Sequence, residues 1–239
     1  MTNLQKEIKE EIEKFFEEEY NETLVVEFVS DVLDRGNEII GRKSRFQFKN
    51  RNEETTEYGK FIPPVSQNDT YHILIWTGLE ESRELMTSAH ELEHAILFVN
   101  LLRTVFQNNR SEMSGSKFTE HYQVFSEFSA YRKGMKFYLL NVSFKGFTTE
   151  DVAVALLEEK FEFWQNKIFD ESRLMYNSVL LGNILGALDV VESEKIASFR
   201  DKLDNDEKIK KVYDVMCNYK DEKEWYDEYI NVVEDYYRD

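Results

Sequence analysis

Residues 85–99 read LMTSAHELEHAILFV, and the spacing within this stretch decides how the chain around it folds. Leu85, Met86, Ala89, Leu92, Ile96 and Val99 recur every three or four positions, which lays a wide apolar face along a helix. His90 and His94 are four apart, so on that helix they project from one face, one turn apart. Imidazoles placed in this way can meet at one metal ion, with N–metal bonds of about 2.0–2.1 Å. Glu91, beside the first histidine, can reach a metal-bound water without ligating the metal. Zinc lowers the pKa of such a water to roughly 7, and a glutamate can then take its proton during attack on a carbonyl. The chain has 4 histidines, and half of them sit in this motif. Chance would produce the pattern about 0.01 times in a chain of this composition. The bland alternative is a surface histidine pair on an acidic helix, or the remnant of a lost site. Against it, the apolar flanks predict burial, and buried histidines usually have a partner.

Working outward, residues 70–77 (TYHILIWT) form an apolar run between Asn68-Asp69 and Gly78 and read as a strand. Residues 50–69 are polar, contain both prolines as Pro63-Pro64, and read as loop. The stretch 37–49 has Ile39, Ile40, Phe46 and Phe48 around Gly41 and reads as a hairpin. Residues 23–29 (TLVVEFV) are β-branched and predict a strand. Leu4, Ile8, Ile12, Phe15 and Phe16 predict an amphipathic helix over 3–19.

Downstream the pattern is helical, with predicted helices over 81–107, 118–142, 149–168, 171–191, 193–218 and 221–237. Breaks are expected at 108–116 and 145–148, and Thr148-Thr149-Glu150-Asp151 has the chemistry of a capped helix start. The predicted fold class is α+β: mostly helical, with a small N-terminal β-sheet packed on the motif helix. Residues 1–145 are expected to form the domain carrying the motif, and 146–239 a helical region packed on it as one structural unit.

Catalytic zinc normally has three protein ligands and a water, so one ligand remains to be found. The next predicted helix contains FTEHYQVFSEFSAYRKG, residues 118–134. Glu127 is the sole charged residue between His121 and Tyr131, counting histidine as neutral. A carboxylate isolated among apolar and small residues predicts burial, and a buried carboxylate needs a cation. Glu120 lies seven residues earlier on the same helical face and competes for the role. His121 also competes, although it points about 120° away. Tyr131, one turn after Glu127, can donate a hydrogen bond to a developing oxyanion, but such a tyrosine more often packs with its hydroxyl satisfied. His72, in the apolar strand, reads as structural.

His90-Glu91-x-x-His94 followed by Glu127-Phe128-Ser129-Ala130 resembles the gluzincin pattern of zinc peptidases, and most of all its small members, the minigluzincins. The likeness covers roughly residues 70–140, and Thr87, Ser88, Ala95 and Ile96 match the longer zincin signature. The resemblance implies a zincin-like fold, Zn2+ held by His90, His94 and Glu127, Glu91 as the general base, and a peptide or protein substrate. It also implies that the strand at 70–77 lines the cleft and pairs with an extended substrate. Two positions depart from the pattern. Glu93 stands where the signature is usually uncharged. Tyr131 stands where thermolysin-like gluzincins carry an aspartate that orients a ligand histidine. A second reading is therefore a catalytically idle, metal-binding regulatory or interaction module of the same fold.

Composition narrows the field further. A formal net charge of -17 argues against nucleic acid and against an anionic membrane surface as partners. The single cysteine, Cys217, excludes a disulfide framework within the chain and a cysteine-based zinc cluster. The charged N-terminus lacks the apolar core of a signal peptide, so a cytoplasmic location is expected. The recurrent tyrosines at 213, 219, 226, 229, 236 and 237 are expected to pack between helices. Oligomeric state leaves no mark on the sequence.

Overall fold

The computed structural model describes residues 1–41, 58–64, 70–115, 118–142, 146–165, 173–203, 206–218 and 222–238. The class is α+β, mostly helical with one small sheet. The chain divides into two compact units, Met1–Ala95 and Ile96–Asp239, and the motif helix runs through the division. No helix among the described residues is long and apolar enough to cross a membrane.

The first unit begins with α1 (Asn3–Tyr20), started by a capping box in which Thr2 and Gln5 satisfy each other's backbone amides. Its buried positions Ile8, Ile12 and Phe16 follow helical spacing. Strands β1 (Leu24–Val29), β2 (Gly59–Ile62) and β3 (Tyr71–Trp76) form a sheet in the order β1-β3-β2. β1 is parallel to β3, with Val26 opposite Ile73. β2 is antiparallel to it, with Phe61 opposite Ile73. Helix α1 closes the outer edge of β1: the Val26 amide donates to Glu13 at 2.8 Å and the Val26 carbonyl accepts from Lys9 at 2.8 Å. An edge whose backbone groups are satisfied in this way cannot recruit another strand at that point.

Residues 37–40 are not part of a hairpin but the last turn of α2 (Val32–Ile40); residues 42–49 lie outside the described residues. Asp31 caps α2 by accepting from the Asp34 amide, and Gly41 ends it at φ 55, a conformation glycine adopts without strain. Val32 and Ile40 pack with Ile62 and Leu74 on one face of the sheet, so Ile39 and Ile40 serve a helix. Part of the expected loop 50–69 is strand β2, four residues held by β3 and stopped by Pro63-Pro64. Finally, β3 is the central strand, paired along both edges, so an extended substrate cannot add to it. Among the described strands, β2 is the edge strand on the side away from α1's cap.

Helix α3 (Glu81–Thr104) follows β3. Its first turns are tied down within the first unit: buried Glu84 accepts from Gln5 of α1 at 2.5 Å.

The second unit carries α4 (Arg110–Gly115), α5 (Phe118–Asn141), α6 (Thr149–Gln165), α7 (Arg173–Leu188), α8 (Glu194–Ser198), α9 (Glu207–Cys217) and α10 (Glu222–Tyr237). Helix α7 is buried continuously from Ser178 to Ala187. It lies backbone to backbone against α5: a Cβ added at Gly182 would come within 2.3 Å of the Phe128 carbonyl oxygen, and one at Gly186 within 2.3 Å of that of Arg132. Arg132 and Asp189 bind the same two helices through paired 2.8 Å contacts. The single helix expected over 193–218 is instead α8, a 3-10 turn over Phe199–Lys202, and α9. Leu203 is buried at the break, and Asp206 starts α9 by accepting from the Lys208 amide. The expected break at 108–116 contains the short helix α4, started by Asn109, which accepts from the Glu112 amide.

Candidate metal centre

The chain supplies potential metal ligands from two helices. On α3, the Nε2 atoms of His90 and His94 stand 3.1 Å apart, with their rings nearly perpendicular at 81°. Two nitrogens bound to one tetrahedral zinc at 2.0–2.1 Å would be about 3.3 Å apart. The pair is therefore set at ligand spacing. Burial, with the positive charge of Lys60 adding to it, pushes His94 down to about 4. Its imidazole is neutral at ordinary pH, the form that binds metal.

On α5, Glu127 is half-buried between buried Ser126 and Phe128, less enclosed than its isolation in the sequence predicts. His90, His94 and Glu127 each offer a ligand atom, and these atoms all lie within 4.8 Å of one another. Two imidazoles and one carboxylate make a donor set suited to zinc with a position left for water.

Glu91 is buried, at 6% exposure. Strand β2 passes directly over it: a Cβ built on Gly59 would lie 2.8 Å from Glu91 Oε1 and 2.5 Å from Thr87 Cγ2. Only glycine lets the strand run that close to the carboxylate. Sequence reading missed Gly59, because nothing local ties a glycine within a polar stretch to a carboxylate on a later helix. It missed Lys60 for the same reason.

The remaining candidates fall elsewhere. His121 stacks on Tyr237 with centroids 5.7 Å apart and is not a member of the His-His-Glu group. The Glu120 side chain lies outside the described residues. Tyr131 is half-buried on α5, with Lys160 Nζ 5.3 Å from its ring centroid. His72 lies 3.5 Å from Glu27. It occupies the face of the sheet opposite Gly59, as alternation along the paired strands requires. Glu93 is half-buried.

No family model, curated protein or solved structure matches the chain.

Proposed function

We propose that the chain is a zinc-dependent metallopeptidase of the gluzincin type, with His90, His94 and Glu127 as ligands and Glu91 as the general base. The observation that carries this reading is the gathering of one ligand atom from each of the three residues within 4.8 Å. Zinc, when bound, would polarise the scissile carbonyl and acidify the attacking water. Glu91 takes the proton of that water and returns it to the leaving amine. Its burial under β2 keeps bulk solvent from competing for the proton. The peptide runs beside β2, the edge strand that passes over Glu91, and takes main-chain hydrogen bonds from it. The net charge of -17 favours cationic peptides.

Tyr131 favours the idle, metal-binding reading, because it stands one turn after Glu127 where a carboxylate would orient a histidine. Purified protein given zinc and a library of extended peptides separates the two. The peptidase reading expects stoichiometric zinc and hydrolysis that Glu91→Gln abolishes while zinc is retained. Stoichiometric zinc with no hydrolysis by wild type supports the idle module instead.

A further inference from the structure

The hydroxyl of Tyr229, on α10, sits on the main chain of α5. It donates to the His121 carbonyl oxygen at 2.6 Å and accepts from the Phe125 amide at 3.1 Å. Residues 121 and 125 are one rung of the α-helical ladder, the pair that would normally bond to each other. A side chain seated on a rung loosens it and sets the local direction of the helix axis. This rung ends two residues before Glu127.

The hydroxyl is itself held in place. Tyr229 has 0% exposure, and burial pushes its phenol well above the usual tyrosine range, so it stays a donor. Its ring stacks on Trp225 at 4.9 Å and packs on Phe125 at 5.8 Å. The Trp225 indole is fixed in turn by donating to the Val215 carbonyl at 2.8 Å. A continuous chain of contacts thus runs from α9 through α10 to the backbone just ahead of Glu127. On the other side, the α5 backbone just beyond Glu127 rests on Gly182.

We infer that Tyr229 is a positioning residue for the metal centre, its hydroxyl on the 121–125 rung aiming the turn of α5 that carries Glu127. This rests on the ligand assignment proposed above. Removing the hydroxyl takes a partner from both members of the rung, lets this turn of α5 shift, and turns the carboxylate away from its place. Interactions that orient a ligand are typically worth about 10- to 100-fold in metal affinity. An effect passed through the backbone belongs at the lower end of that range.

The test measures zinc Kd on the full chain by competition with a chromophoric chelator. Wild type is compared with Tyr229→Phe and with Val233→Ala, which opens a cavity at a fully buried position one turn further along α10. Tyr229→Phe is expected to weaken zinc about tenfold, while Val233→Ala, though less stable, keeps wild-type affinity. Equal affinity in wild type and Tyr229→Phe would overturn the inference, as would equal weakening in both variants. Wild type that takes up no zinc would instead overturn the ligand assignment, and this inference with it. Should Tyr229→Phe fail to fold, Trp225→Phe retains the hydroxyl but frees the stack from Val215. A smaller weakening is then expected, and unchanged affinity would overturn the inference.

Discussion

The first unit brings a strand backbone against a side chain, at Gly59 and Glu91. The second brings two helix backbones against each other, where Gly182 and Gly186 of α7 meet α5. Glycine permits both approaches, but the two contacts serve different ends. Between α5 and α7 the close approach buries apolar surface and is reinforced by the Arg132–Asp189 pair. Over Glu91 the close approach buries a carboxylate, which by itself costs stability. The contact between α5 and α7 belongs to the scaffold, and the one over Glu91 fits the role proposed for that residue.

Substitutions at the two glycines should therefore separate by readout. Gly182→Ala places a methyl against the unyielding Phe128 carbonyl and should cost about 3 kcal/mol, read by urea denaturation. Near-wild-type stability would mean that α5 and α7 can move apart freely. Gly59→Ala meets side chains, Thr87 Cγ2 and then Glu91, which can give way where a backbone carbonyl cannot, and should cost less stability. On the proposed roles it should lower peptide hydrolysis about 100-fold while zinc stoichiometry is unchanged, because the displaced group is the proposed base and not a proposed ligand. Equal losses of zinc and of turnover would contradict that division.

Two smaller effects sharpen the account of the scaffold. Arg132→Gln breaks a well-aligned but half-exposed pair and should cost about 1 kcal/mol, falling further in high salt. The Tyr229 phenol, raised by burial, should make stability fall with alkali. The unfolded tyrosine ionises above about pH 10 while the folded one cannot, so its contribution is full below that pH and is lost as pH rises beyond it. Tyr229→Phe should remove this part of the alkaline slope in denaturation curves measured between pH 9 and pH 11. An identical slope in both proteins would place the loss elsewhere.

What the sequence reveals follows the range of the interactions. His90, Glu91 and His94 are legible because their spacing is local and helical. Glu127 is legible because a lone charge in a neutral run stands out within its own helix. Strands β1 and β3 announce themselves through β-branched and apolar runs. Strand β2 does not, since its four residues take their structure from β3 and not from propensity. Helix α2 was concealed by Ile39, Ile40 and Gly41, which suit a hairpin as well as a capped helix end. Gly59 over Glu91 and Tyr229 on the 121–125 rung join residues far apart in the chain, and no pattern within either segment records the meeting. The tyrosines of the last helix were expected to pack between helices. Tyr229 does so, but its hydroxyl also takes up a backbone role that spacing cannot express.

The central claim is a shared metal ion, and crystals grown with zinc and measured on both sides of its absorption edge test it most directly. An anomalous peak within about 2.2 Å of His90, His94 and one Glu127 oxygen is the expected result. A peak ligated by other residues, or no peak at a saturating zinc concentration, would contradict it.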